Sequence, residues 1–110
     1  MPEYAMCCQR VTLYRKTPQG ILRLEIPNCY LQVLSERVYG KLSCGQQLKF
    51  LLIQPGQEQL VFPGDRVFDG IGPEITQAQW DTWAVPMGEV AYATPYQWQG
   101  VFCHTEAGRK

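Results

Sequence analysis

The chain has 110 residues, of which 45% are hydrophobic and 18% charged, and its ten basic residues balance ten acidic ones. This length and composition predict one globular domain over residues 1–110, and they exclude the disordered class, which combines low hydrophobicity with high net charge. The net charge of zero also argues against nucleic-acid binding through a broadly basic surface.

The charge is unevenly divided between the two halves of the chain. Residues 1–55 hold seven basic and three acidic side chains, a net charge of +4, and residues 56–110 hold three basic and seven acidic side chains, a net charge of −4. Separate surfaces of opposite sign would favour head-to-tail association into a ring. A sheet that interleaves the two halves would cancel the asymmetry, and this second interpretation is favoured.

Much of the first half alternates apolar and polar side chains with the period of β-strands. Residues 11–15 and 21–26 alternate on either side of a turn sequence at residues 17–20, which predicts two strands joined in a hairpin. Pro27 lacks the N–H that a strand ladder needs, so a separate third strand is predicted over residues 29–33.

Two segments of different character follow these strands. Residues 35–47 contain two glycines and no regular period, so we predict a long loop with a frayed strand near residues 38–42. Residues 48–53 are the strongest apolar run and end before a Pro-Gly turn, which predicts a central strand covered on both faces.

The sequence PGDRVFDGIGPE, residues 63–74, raises the question of a ligand site because it contains three glycines, two prolines and three carboxylates. A phosphate-binding loop needs glycine amides that lead directly into a helix, and a calcium loop needs alternating carboxylates closed by a distant glutamate. Neither arrangement is present. The stretch therefore predicts two tight turns around a four-residue strand.

Residues 76–83 predict the one helix, with Thr76 as its N-cap and Gln79 at the capping-box position. Trp80 and Trp83 are three residues apart and share a face of this helix. Two interpretations are open for this pair: a lid packed over the barrel end, which is favoured, and an aromatic clamp for a ligand. After the helix, two more strands are predicted around a turn at residues 94–95, followed by a polar tail.

Together these elements predict a mainly β fold. The expected architecture is a small antiparallel β-barrel or sandwich of about six to seven strands with one short helix. Flexible ends are predicted over residues 1–9 and 105–110. No apolar run approaches the roughly 18 residues that a membrane-spanning helix needs, so we expect a soluble protein.

The sequence offers little for catalysis. It contains five cysteines without C-x-x-C spacing and a single histidine, His104, so it carries no zinc-ligand pattern. Without a recognisable signal segment the thiols are expected to be reduced. Cys103 and His104 are neighbours on a predicted strand and point to opposite faces, which is poor geometry for a nucleophile and its base. We predict a protein that is not an enzyme, with no catalytic residues, no cofactor and no bound metal.

Several features follow one another in a recognisable order along most of residues 10–105. They are the strand Arg10–Tyr14, a Cys29-Tyr30 element, an apolar strand, the Pro63–Phe68 turn into a strand, a short element and a terminal aromatic strand around Trp98. This order resembles that of small tailed-phage and prophage proteins encoded among the head–tail junction genes. The group includes the head-closure, head-completion and minor capsid proteins.

The resemblance implies a β-barrel subunit of the virion, assembled in the bacterial cytoplasm. Such a subunit forms a ring with copies of itself and contacts neighbouring portal, adaptor or tail proteins. DNA makes at most passive contact in the channel, and no membrane is involved. The loop over residues 35–47 is the expected projection. The candidate interface residues are Arg37, Tyr39, Lys41, Trp80, Trp83 and Trp98.

A different class of function stays open, namely a monomeric β-barrel binding module. Partly open barrels carry aromatic grooves that bind a peptide, a sugar or single-stranded nucleic acid. The candidate groove residues are Trp80, Trp83, Tyr92, Tyr96 and Trp98. The two classes differ in solution, because a connector subunit forms a ring or binds one, whereas a module stays monomeric.

Overall fold

The computed structural model of the chain describes residues 6–33 and 49–109. These residues form seven antiparallel strands and one short helix: β1 (Gln9–Thr17), β2 (Gly20–Val33), β3 (Phe50–Pro55), β4 (Arg66–Asp69), α1 (Gln77–Asp81), β5 (Gly88–Glu89), β6 (Tyr92–Trp98) and β7 (Val101–Arg109). The strands make one sheet in the order β5-β4-β1-β2-β3-β7-β6, and the sheet curls into a half-barrel. The predicted mainly β fold with one short helix is confirmed.

The curl of the sheet follows from the path of the chain between β5 and β6, which are its two edge strands. Val90 continues the pairing of β5, because its N–H donates to the Asp65 carbonyl over 2.8 Å. The next residue, Ala91, donates to the Gly108 carbonyl of β7 over 2.7 Å. The two edges are therefore consecutive segments of one run of chain, which brings them together at this point.

β1 is buried on both faces. Leu13 lies in the main core, while its neighbour Tyr14 lies in a second cluster with Trp80 and Met87. The sequence predicted residues 48–53 as the strand covered on both faces, and this was wrong, because buried and half-buried residues alternate along β3. The segment that follows β4 folds over β1 instead, and a run of apolar residues does not show which strand a distant segment will cover.

β2 is one continuous strand, and the predicted division into two strands at Pro27 was wrong. β1 pairs with β2 on both sides of this proline, with a register shift between the two parts. Asn28 takes a positive φ of 61° at the shift. A β-bulge of this kind leaves a backbone position outside the ladder, which accommodates the missing N–H of proline. The predicted hairpin of residues 11–26 is confirmed.

The second hairpin also differs from its prediction. β6 and β7 are joined at residues 99–100, and the predicted turn at residues 94–95 lies inside β6. Pro95 is tolerated there because β6 is an edge strand, and one side of its backbone has no ladder partner among the described strands. The predicted flexible end was wrong for residues 105–109, which form part of β7 between β3 and β6. Pairing with the distant β3 orders a stretch whose composition is typical of a tail.

The helix begins as predicted. The Thr76 side chain accepts a hydrogen bond from the Gln79 N–H over 3.2 Å, and the Gln79 side chain accepts one from the Thr76 N–H over 2.8 Å. This capping box satisfies two backbone donors that the first turn leaves without partners. α1 spans five residues, Gln77–Asp81, and buries Trp80.

The remaining sequence predictions concern the ends and the loop. The loop predicted over residues 35–47 and the first five residues of the predicted flexible end lie outside the described residues. Among the described residues of this end, Cys7 is buried and Gln9 begins β1. The predicted flexible end was therefore wrong for residues 7–9. Across residues 6–33 and 49–109, no helix has the length and apolar character needed to cross a bilayer.

Candidate interaction surface

The hairpin of β6 and β7 projects beyond the strand next to it. β3 pairs with β7 only as far as His104, whereas β6 pairs with β7 up to Trp98 and Val101. The two turn residues, Gln99-Gly100, both have positive φ, 53° and 80°. This conformation is that of a type I′ turn, whose twist matches that of a two-stranded hairpin. Residues 96–104 are named the aromatic hairpin below.

One face of the aromatic hairpin is apolar and exposed. Trp98 pairs with Val101 next to the turn, and Tyr96 pairs with His104, with the two ring centroids 5.0 Å apart. Residues opposite each other in a hairpin, and residues two apart along a strand, share a face. The exposed fractions are 66% for Trp98, 65% for Val101 and 44% for Tyr96. Residues 90–105 contain no Asp, Glu, Lys or Arg, so this surface is also uncharged.

An apolar pocket of about 260 Å³ lies at the opposite end of the same sheet. Phe50 and Val67 are buried at the pocket, and Val33 lines it with an exposed fraction of 45%. β3 runs from Phe50 at this pocket to Pro55, which pairs with His104 of the aromatic hairpin. The pocket and the tip of the hairpin therefore lie at opposite ends of the strands.

Trp80 and Trp83 hold the side chain of Arg66 between their rings. The guanidinium carbon of Arg66 lies 3.8 Å from the ring centroid of Trp80 and 3.6 Å from that of Trp83. Arg66 Nη1 also donates to the Trp80 carbonyl over 2.6 Å. Cation–π contacts of this kind gain strength when the cation is removed from water. The chain's own guanidinium fills the space that a ligand clamp would offer, so the two indoles serve packing.

Trp83 has an unusual backbone position for a large residue. Its N–H donates to the Trp80 carbonyl over 3.3 Å, and the Ala84 N–H donates to the Gln79 carbonyl over 3.0 Å, which is the pattern of a Schellman motif. The residue at this position is left-handed and is usually glycine. Trp83 takes a φ of 54° there. At this position the ring of Trp83 reaches Arg66, a contact that glycine could not make.

Burial of Arg66 has an electrostatic cost. The residue is 8% exposed, and its Nε has no hydrogen-bond partner among the described residues. Burial lowers the pKa of the guanidinium, and the negative charges of Glu89 and Asp81 act in the opposite direction. The two indole faces replace part of the hydration that the cation loses. This arrangement ties α1 to β4.

Residues 63–74 form two turns around β4, as predicted. Gly64 and Gly70 both take a φ of 94°, which favours glycine because it has no Cβ. Asp65 is 2% exposed, and its two carboxylate oxygens accept hydrogen bonds from Nε and Nη2 of Arg15 over 2.8 Å each. The two glycines therefore form turns, and the Asp65 carboxylate binds Arg15 within the fold.

The charged side chains of the two halves are grouped in the sheet. β1, β2 and β3, from the positive half, are adjacent, and the strands of the negative half lie on either side of them. The two halves do not alternate strand by strand in this sheet, but their charges do pair across the division, since Arg15 of the first half binds Asp65 of the second over 2.8 Å. Within residues 6–33 and 49–109, the exposed charges are Arg10, Lys16, Glu25 and Lys49 in the first half, and Glu58, Asp69, Glu74 and Asp81 in the second.

The described part of the chain holds no group of three or more His, Cys, Asp or Glu side chains placed to bind a metal ion. His104 lies against Glu106, with 3.3 Å between Nε2 and Oε2, and stacks on Tyr96. These contacts hold the imidazole at the base of the aromatic hairpin.

Cys29 is expected to resist alkylation in the folded protein. Its side chain is fully buried, and burial, reinforced by Cys7, raises its pKa from 9.0 to about 12. Because the thiolate is the reactive form, iodoacetamide at pH 8 is expected to label the exposed Cys8 at least about 100-fold faster. Peptide mass spectrometry with and without urea measures this ratio. Equal labelling of the two cysteines in the folded protein would contradict the burial.

The same thiol makes stability depend on pH. The folded state keeps the Cys29 proton up to about pH 12, whereas the unfolded state loses it above about pH 9. Its contribution to the free energy of unfolding is therefore complete below pH 9 and declines as the pH rises from there towards 12.

The structure separates the residues that the sequence grouped as an interface. Arg37, Tyr39 and Lys41 lie outside the described residues. Trp80 is 7% exposed and Trp83 is half-buried, both against Arg66, whereas Trp98 lies at the tip of the aromatic hairpin. Trp80 is therefore a core residue, and Trp98 is the exposed tryptophan among the three.

The five candidate groove residues also divide. Trp80 and Trp83 belong to the second cluster, beside β1. Tyr92 begins β6, while Tyr96 and Trp98 lie on the aromatic hairpin at the other end of that strand. They do not line one groove. Sequence reasoning missed Val101 as a surface residue, and the signal that locates it is the Gln99-Gly100 turn between two alternating segments.

Comparison of the chain with protein-family models, with curated proteins and with solved structures found no match.

Proposed function

We propose that this chain is a non-enzymatic structural subunit of a tailed-phage or prophage particle. In this proposal it belongs to the head–tail junction, as a head-closure or minor capsid type of subunit, and acts through protein–protein contacts in a ring. The resemblance in the order of sequence elements suggests this role. The observation that carries it is the aromatic hairpin, an exposed apolar surface on a rigid sheet.

The aromatic hairpin suits a protein contact better than a solvent-facing role. Exposed apolar side chains are common singly, but Trp98, Val101 and Tyr96 are clustered on one face of a projecting element. Tryptophan and tyrosine are enriched at the centres of protein interfaces, and charged residues are depleted there. The absence of charge over residues 90–105 fits this pattern.

The grouping of charge supports head-to-tail association. The described part of the first half presents Arg10 and Lys16 on β1 and Lys49 just before β3, with Glu25 as its one exposed carboxylate, and the second half presents four exposed carboxylates. Surfaces of opposite sign on one subunit attract when copies pack head to tail, and such contacts close into rings when the rotation between copies allows it. The zero net charge is consistent with DNA contact that is at most passive.

The test is to locate the chain in particles. Tailed particles are purified from the source strain after prophage induction, and their proteins are quantified by mass spectrometry. We expect the chain in a fixed number of copies, well below that of the major capsid protein, with cross-links to itself and to portal, adaptor or tail proteins.

Capsids that lack tails and the particle-free cell extract serve as controls. Recovery of the chain only in the extract, with complete particles that do not contain it, would contradict the proposal. In that case a monomeric binding module becomes the better interpretation.

A further inference from the structure

The tip of the aromatic hairpin and the apolar pocket are complementary surfaces at opposite ends of one chain. We propose that Trp98 of one copy inserts into the apolar pocket of a second copy. The inference rests on the proposed function, since it specifies the contact through which the copies of a ring associate. The partner is thus a second copy of this chain.

The pocket has the size of a side-chain receptor. Its volume of about 260 Å³ is below the range of roughly 300–1,000 Å³ that is typical of small-molecule sites. Phe50 and Val67 are 2% and 4% exposed, and the more exposed Val33 and Pro86 lie around them. An apolar recess of this size fits one large apolar side chain better than a ligand of drug size.

The pocket also offers a hydrogen-bond acceptor for the indole N–H of Trp98. An indole is apolar except for one N–H, which needs an acceptor when the ring is buried. Among the described side chains that line the pocket, Asp69 alone is charged, and it is exposed. Its carboxylate supplies the acceptor for the indole N–H of Trp98, while the apolar lining covers the ring.

The geometry excludes insertion of Trp98 into the pocket of its own chain. β3 separates Phe50 at the pocket from Pro55 beside the hairpin by about 17 Å, and the hairpin continues in the same direction. Tip and pocket can therefore meet only between copies. A contact between two different surfaces of the same chain is heterologous, and it repeats from copy to copy until a ring closes.

The experiment uses one variant for each side of the contact. Trp98→Ala removes the tip and leaves the pocket, and Val33→Arg fills the pocket and leaves the tip. Mass is measured by light scattering across protein concentration. We expect the mass of the unaltered chain to rise with concentration, and each variant to raise the apparent dissociation constant about 30-fold or more, as for a residue central to an interface.

A mixture of the two variants is the decisive sample. Trp98→Ala still offers a pocket and Val33→Arg still offers a tip, so the mixture is expected to form a dimer and stop there. Phe62→Ala and Ile71→Arg are the matched controls, because they alter exposed apolar residues outside the contact and should associate like the unaltered chain. Circular dichroism confirms that each variant is folded, and Pro86→Arg replaces Val33→Arg if the latter is not.

Three outcomes would overturn the inference. The first is a variant mixture that stays monomeric, and the second is a Trp98→Ala or Val33→Arg chain that associates as strongly as the unaltered one. Both leave the proposed function intact if the chain is found in particles. The third is an unaltered chain that is monomeric at every concentration, in which case the particle experiment alone decides the function.

Discussion

Replacing Trp80 by alanine is expected to lower the free energy of unfolding by about 3–5 kcal/mol, the range for removing a large aromatic side chain from a core. Trp80 is 7% exposed, packs with Tyr14 and Met87, and covers one face of Arg66. Its loss opens a cavity and leaves the buried guanidinium without one of its two rings. A domain of this size is stable by about 5–15 kcal/mol in total, so urea should unfold the variant at a clearly lower concentration.

The chain provides a matched control for this change. Trp98→Ala is the same substitution at a residue that is 66% exposed, and it is expected to change stability by no more than about 0.5 kcal/mol. Both variants are unfolded in urea at a protein concentration low enough to prevent association, and the transition is followed by circular dichroism. A similar loss in the two variants would contradict the burial of Trp80 against Arg66.

Asp65→Ala is expected to cost about 2–3 kcal/mol, because it removes the acceptor of three hydrogen bonds, two of them from a charged donor. Its carboxylate accepts from Nε and Nη2 of Arg15 and from the Phe62 N–H over 2.8, 2.8 and 2.9 Å. The Arg15 side chain is 34% exposed, so water compensates part of the loss, and the effect stays below that of breaking a fully buried ion pair. Thermal and urea unfolding measure it.

Asp69→Ala is the control for Asp65→Ala. Asp69 is an exposed carboxylate four residues further along, and its removal is expected to change stability by less than about 0.5 kcal/mol. If the two alanine variants unfold at the same urea concentration, the Arg15 contact contributes nothing to stability. If Asp65→Ala is destabilised as expected, a double-mutant cycle with Arg15→Ala separates the energy of the Arg15–Asp65 pair from the loss of the Phe62 hydrogen bond.

The candidate interaction surface was predicted from the sequence only in part. The enrichment of tryptophan at interfaces makes Trp98 a candidate, and its exposed fraction of 66% leaves its ring accessible to a partner. Trp80 was selected for the same reason and lies in the core, because residue type alone does not distinguish a buried indole from an exposed one. The pairing of Trp98 with Val101 depends on the turn at residues 99–100, whereas the sequence predicts a turn at residues 94–95.

The sequence by itself determined the local features of this protein. The turns at Gly64 and Gly70, the capping box of Thr76 and the hairpin of β1 and β2 follow from interactions between residues close in the chain, and short-range chemistry is enough to specify them. The mainly β class follows in the same way from the period of the apolar residues.

The tertiary structure alone decided which segments meet. β7 is ordered because it pairs with β3, some fifty residues earlier in the chain, and β1 is covered on both faces because the segment after β4 folds over it. The left-handed backbone of Trp83 closes the Schellman motif, and its ring contacts Arg66 of the distant β4. These features depend on contacts between distant residues, whose partners a local pattern does not specify, and the same contacts place the aromatic hairpin and the apolar pocket at opposite ends of the sheet.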